Sequence, residues 1–227
     1  MIGIISALAL ETDMLLKNSS VDKKETVCGI EFHEIKIKNK DIVVAVCGVG
    51  KVNAARVTQA MILKYDPSLI INTGVAGALS PDLSIGDIVI ASKVLQHDMD
   101  TTALGDEAGF LSTPPLVYIP ADEKAKTDLI SSASSLSYNV KEGIVASGDK
   151  FVANEEEKLR IRALFSADAC EMEGAAIGQV CYLSSVPFAV VRAISDGGNS
   201  DSPMDYPTFV RFAAERGAAL LESFLSL

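Results

Sequence analysis

The stretch "DIVVAVCGVGKVNAARVTQAMILKYDPSLIINTGVAGAL", Asp41 to Leu79, places a helical pattern between two apolar runs. "DIVVAVCG" and "SLIINTG" are nearly continuous in apolar residues, as in strands covered on both faces. Val52 to Tyr65 reads as a helix between them. The same alternation continues outward. "IGII", "EFHEIKIK", "GDIVIASKVLQ", "GIVASGD" and "PFAVVRAIS" are further strand patterns. Ala121 to Ser137, Glu155 to Phe165, Glu173 to Leu183 and Pro207 to Leu225 are helical. Asn154 before three glutamates reads as an N-cap whose charges suit the helix dipole. Strands alternating with helices predict an α/β fold, a three-layer α/β/α sandwich on a mixed, mostly parallel sheet. No repeat or linker divides residues 1–227, so a single domain is expected. The least regular part, Thr101 to Pro120, reads as a long loop, and long ordered loops are often functional.

Of 227 residues, 48% are hydrophobic, enough for a sizeable core. The net charge of -10, with no Lys/Arg cluster, argues against nucleic acid and against an anionic membrane surface as partners. Cys28, Cys47, Cys170 and Cys181 form no CxxC pair, and only two histidines accompany them. Four reduced thiols and no zinc site are expected. The apolar N-terminus lacks a basic start and is interrupted by Glu11 and Asp13, which fits a buried strand better than a signal peptide. Gly174 to Val191 is uncharged, but Gln179, Ser184, Ser185 and Pro187 break it into helix, turn and strand. A soluble, cytoplasmic protein is expected.

Open α/β sheets bind ligands at the carboxyl ends of their strands. There "IINTGVAGAL" is read as a strand ending in a glycine-bearing turn at Asn72-Thr73-Gly74. "VVRAISDGGNSD" ends a strand in Ser195-Asp196. Two readings of Asp196 stand: a turn or capping residue, or a general acid whose pKa is raised by burial. Glu11 follows the first strand, as a first-turn helix residue or a third lone acid. "CEMEGAAIGQV", Cys170 to Val180, carries Glu171 and Glu173 in apolar surroundings, and burying a lone carboxylate is costly. Arg192, inside a buried strand, needs a carboxylate partner, and Glu171 or Glu173 can serve. Separated acids without a metal set or a Ser-His-Asp pattern suggest acid/base chemistry on a polyol or nucleoside.

"IGIISALALE", "GVGKVNAA", "IINTGVAGAL", "GDIVIAS", "HDMDTTALG", "SGDKFV", "EMEGAAIGQVC" and "VPFAVVRAISD" occur in one order over nearly the whole chain. This co-linear set resembles the nucleoside phosphorylase/nucleosidase superfamily. The resemblance is greatest to its branch that cleaves 5′-methylthioadenosine and S-adenosylhomocysteine. It implies hydrolysis of the N-glycosidic bond, releasing adenine and a 5-thio-substituted ribose, in methionine salvage and by-product recycling. No cofactor and no metal are implied.

On this resemblance Asp196 matches the proton donor to purine N7, oriented by Ser195 and kept protonated by an apolar site. Glu11 matches the residue that polarises the attacking water. Glu173 matches the one that binds the ribose hydroxyls, with Met172 packed on the sugar and Glu171 beside it. Ala7, Val49, Ala76, Gly77, the backbone of Val152 and Arg192 fall at substrate-contacting positions. Phe151 stacks on the purine, and Tyr206 matches an aromatic that closes over the nucleoside. The resemblance also implies a homodimer whose partner walls the 5′ pocket, with Leu104 on the candidate loop. Departures are the apolar "SALALETD", Val75 where serine is common, and the divergent "GDEAGFLSTPP". They bear on the 5′ substituent, not on the glycosidic chemistry.

A purine nucleoside phosphorylase would need basic and hydroxyl groups for phosphate. Glu11 opposes that anion, and no Arg accompanies "NTGVAG". A nucleosidase for another 6-aminopurine nucleoside, such as aminofutalosine, shares the adenine and ribose contacts. A non-catalytic binding protein on the same fold is the remaining class; Glu11, Glu173 and Asp196 all argue against it.

Overall fold

The computed structural model describes residues 1–17, 19–196 and 206–226; the side chains of Met14, Ser20, Tyr206 and Pro207 lie outside that description. The first half of the chain holds β1 (Ile2–Ser6), α1 (Ala9–Lys17), β2 (Ser20–Val27), β3 (Ile30–Ile37), β4 (Lys40–Val46), α2 (Lys51–Tyr65), β5 (Leu69–Ala78) and β6 (Ile88–Gln96). Three short strands follow, β7 (Leu111–Ser112), β8 (Pro115–Leu116) and β9 (Ile119–Pro120). Then come α3 (Glu123–Ser135), β10 (Val140–Ser147), α4 (Glu155–Phe165), β11 (Ala169–Glu171), α5 (Gly174–Leu183), β12 (Phe188–Asp196) and α6 (Tyr206–Leu225).

The strands form a mixed sheet in the order β11-β10-β6-β12-β5-β1-β4-β3-β2. Its centre, β12-β5-β1-β4, is parallel throughout. β11 pairs with β10 and also, antiparallel, with β5, so that end of the sheet curls over.

Neighbouring residues on the central strands point to opposite faces, and both faces are buried. Ile5, Ile70 and Val190 join Ala54, Val57 and Met61 of α2 and Ala175, Ile177 and Cys181 of α5 in one core. Ile4, Ile71 and Val191 join Leu15 of α1, Ala125 and Leu129 of α3, and Leu220 and Leu221 of α6 in another. This is the α/β/α layering expected from continuous apolar strands. In α2 the buried Ala54, Val57, Thr58 and Met61 follow the i, i+3, i+4, i+7 spacing that seats a helix on a sheet. Asn154 caps α4 as expected, accepting from the Glu157 N–H at 3.2 Å. Gly174 to Val191 divides into α5, a turn and β12. Among the described residues no helix is long and apolar enough to cross a membrane.

One expectation fails in a useful way. "IINTGVAGAL" does not turn at Asn72–Gly74; β5 continues unbroken to Ala78. Its glycines are strand residues over which acidic side chains pack. A Cβ on Gly74 would lie 2.9 Å from Glu11 Oε1, and one on Gly77 would lie 3.0 Å from Asp196 Oδ2. Close approach, not a turn, favours glycine there.

Candidate active site

β1, β5 and β12 are parallel, and their carboxyl ends open on a cavity of about 380 Å³. That volume suits a small ligand such as a nucleoside. Ala7, Leu8 and Glu11 line it from the β1–α1 turn, Val49 from the turn before α2, and Val75 to Gly77 from β5. Phe151 follows β10, Cys170 to Glu173 come from β11 and the start of α5, and Ser195 and Asp196 end β12. The three acids the sequence sets far apart therefore share one largely apolar cavity.

Glu11 is 3% exposed. Its Oε2 accepts from the Ala7 and Leu8 N–H groups at 3.0 and 2.9 Å, and Oε1 from the Val75 N–H at 3.2 Å. Burial raises its pKa above the usual carboxylate value, against the opposing pull of these N–H groups and of Arg192.

Glu171 and Glu173 have separate tasks. Glu171 lies at the N-terminus of α5, accepting from the Gly174 N–H at 2.8 Å and the Glu173 N–H at 3.0 Å. It also accepts from Ser147 Oγ and pairs with the Arg192 guanidinium, which bonds Asn72 as well. Burial works to push its pKa up. Arg192 and the surrounding donors outweigh burial and hold it below the ordinary value. Arg192, 1% exposed, is thus a buried cation behind the cavity wall and not part of its lining.

Glu173 faces the cavity instead. Its Oε1 accepts from the Gly50 N–H at 2.8 Å. Burial and the neighbouring Glu171 charge push its pKa up to about 7, against the pull of Arg192 and Gly50. A carboxyl group balanced near neutrality can accept from, or donate to, a sugar hydroxyl.

Asp196 departs from expectation. Its surroundings are not simply apolar: Lys158 Nζ of α4 lies 3.2 Å from Oδ2, and Ser195 Oγ donates to Oδ1 at 3.3 Å. The sequence reading missed Lys158, which sits among glutamates in a pattern typical of a solvated helix face. Leu8, Val75 and Cys170 also line the cavity without having been anticipated as site residues.

Phe151 is 57% exposed and lines the mouth of the cavity. Val152 turns into the core beside Leu95 and Phe165, so its side chain does not line the cavity. Leu104, 82% exposed, sits on a 3-10 turn, Thr102–Leu104, outside the lining. Tyr206 opens α6, but its side chain lies outside the described residues.

Comparison with known proteins agrees with this geometry. Residues 1–226 match the phosphorylase superfamily model. The 5′-methylthioadenosine/S-adenosylhomocysteine nucleosidase of Shewanella halifaxensis is 39% identical over 225 residues, covering 99% of this chain and 98% of that protein. The solved structure of Helicobacter pylori futalosine hydrolase is 34% identical with a TM-score of 0.93, over 99% of this chain and 97% of that one. The Helicobacter pylori 5′-methylthioadenosine/S-adenosylhomocysteine nucleosidase, bound to an aminopyrrolopyrimidine-substituted pyrrolidine, matches with the same identity, coverage and TM-score. The chain belongs to the phosphorylase superfamily, and its fold is the α/β fold of that family.

Proposed function

We propose that this protein hydrolyses the N-glycosidic bond of 5′-methylthioadenosine and S-adenosylhomocysteine, releasing adenine and a 5-thio-substituted ribose. The observation that carries the reading is the convergence of Glu11, Glu173 and Asp196 on one cavity of nucleoside size. Glycoside cleavage builds positive charge on the sugar and negative charge on the departing base. Asp196, held beside Ser195, gives a proton to purine N7 from its protonated form and is left as the carboxylate that pairs with Lys158. Glu173 bonds the ribose hydroxyls, and as a carboxylate it stabilises the developing sugar cation. Glu11 directs a water to the anomeric carbon. Phe151 covers the purine, and Met172 packs on the sugar. Glu171, in the cavity wall, and Arg192 behind it support this site. Glu11 and Glu173 make the nucleophile side of the cavity acidic, which suits water and opposes phosphate.

The same reading has residues 1–227 acting as one domain in a cytoplasmic homodimer. The partner then completes the 5′ pocket through the loop that carries Leu104, and Tyr206 closes over the nucleoside. The protein would serve methionine salvage and the recycling of S-adenosylmethionine by-products.

The test is adenine release from 5′-methylthioadenosine, S-adenosylhomocysteine, aminofutalosine and adenosine, with and without phosphate. Phosphate-independent release from the first two is expected. Release only with phosphate would make the protein a phosphorylase, and release from aminofutalosine alone would reassign its substrate.

A further inference from the structure

We propose that Lys51, Asp98 and Asp149 form a clamp that positions Glu173 through the Gly50 N–H. The inference rests on the ribose-binding role proposed above for Glu173. Three sequence segments meet here whose charged residues the proposed chemistry does not use: "GVGKVNAA", "HDMD" and "SGDKF".

Gly50 is the turn residue before α2, with φ of 100°. A side chain there would be strained, and its Cβ would lie 3.1 Å from Asp149 Oδ1. The first helical residue, Lys51, has no side-chain cap at Gly50. Asp149 Oδ1 supplies one from across the sheet, accepting from the Lys51 N–H at 2.8 Å. Asp149 is fixed in turn, because its own N–H donates to Asp98 Oδ2 at 2.9 Å. The other oxygen of Asp98 pairs with Lys51 Nζ at 2.6 Å, and the same ammonium donates to Gln96 Oε1 at 2.9 Å.

The circuit closes on itself. It leaves the Gly50 N–H facing the cavity, where it donates to Glu173 Oε1. Burial works to raise the pKa of Asp98, and Lys51 and the Asp149 N–H outweigh it and hold it below the ordinary value. Phe151 stands two residues beyond Asp149. The clamp therefore ties the amide that orients the ribose-binding acid to the segment carrying the ring at the cavity mouth. Lys51, Asp98 and Asp149 do not line the cavity. They act as positioning residues, and shifts of an ångström in such supports can lower turnover strongly.

The test uses Lys51→Met, Lys51→Arg and Asp98→Asn in the full chain, on 5′-methylthioadenosine and its 2′-deoxy analogue. Lys51→Met and Asp98→Asn are expected to lower kcat/KM about tenfold on the ribonucleoside. The loss should be clearly smaller on the 2′-deoxy analogue, which lacks one hydroxyl for Glu173 to hold. Lys51→Arg, which keeps the charge, should stay within about twofold of wild type. Hydrogen exchange of the Gly50 amide should quicken about tenfold in the first two variants. Equal losses on both substrates, or unchanged Gly50 protection, would overturn the clamp. A wild-type protein that releases no adenine rejects the nucleosidase reading alone, and Gly50 protection then decides the clamp. Should Lys51→Met fail to fold, Asp98→Asn carries both measurements.

Discussion

Lys158 of α4 holds Asp196 at the tip of β12, Nζ to Oδ2 3.2 Å, with 10% and 20% of the two side chains exposed. The residue assigned as proton donor is thus also one half of a sheltered ion pair. Its chemical and structural roles can be separated. Asp196→Asn should lower kcat at least a hundredfold, since a positioned general acid is worth about 10²–10⁴. It should also lower stability by about 1–2 kcal/mol, because Lys158 loses its anionic partner. Adding Lys158→Met should restore the stability and none of the turnover. Urea melts and adenine release on the two variants read this out, and recovered turnover in the double variant would remove Asp196 from the chemistry.

Glu173 carries a pH signature. Its carboxyl in the folded protein titrates at about 7, against an ordinary value of 4.5. Between these two values the unfolded chain releases a proton that the folded one retains. Folding stability therefore falls as pH rises through that window and levels off above about 7. The penalty at pH 8 is roughly 3 kcal/mol by linkage. Glu173→Gln should be more stable than wild type at pH 8 and gain nothing of this kind at pH 4. Denaturant unfolding at the two pH values tests it. In the free enzyme kcat/KM should also rise through about pH 7 as Glu173 becomes the anion that supports the sugar cation.

Glu11 accepts three backbone N–H groups, and an amide in its place would set an NH₂ against some of them. Glu11→Gln should cost about 1–2 kcal/mol of stability. It should lower kcat by about a hundredfold or more while KM changes little, because the carboxylate is needed for the water and not for holding the nucleoside. Steady-state kinetics on a variant with native circular dichroism would decide, and a variant with normal kcat would exclude Glu11 as the water-directing group.

The layering, the central strands and the long helices were legible because burial on both faces leaves unbroken apolar runs. β2 was not, since "SVDKKETV" has no such run; its charges are satisfied on the surface, as in the Lys23–Glu25 and Lys23–Glu34 pairs. β11, three residues long, gives no periodic signal. The acids of the site stood out as isolated charges in apolar sequence. Lys158 did not, because the end of its helix that meets Asp196 is dense in glutamates. Glu171 and Glu173 looked alike in sequence, and only the start of α5 turns one toward Arg192 and the other toward the cavity.

Gly77 tests whether the site is built on close packing of an acid over bare backbone. It pairs with Cys170 on one side and Asp196 on the other. A methyl group there would lie 3.0 Å from Asp196 Oδ2 and 3.2 Å from Oδ1, so the carboxylate must give way by a few tenths of an ångström. Gly77 lies within the extended strand β5, so the alanine backbone is unstrained and loses less entropy on folding, a gain of about 0.4–1 kcal/mol. Gly77→Ala should therefore melt within a few degrees of wild type yet lose about 10- to 100-fold in kcat/KM, as expected when a reacting group is displaced. Thermal melts and adenine release on the same preparation check both halves. If turnover survives the added methyl group, Asp196 does not work from the position that the strand pairing gives it.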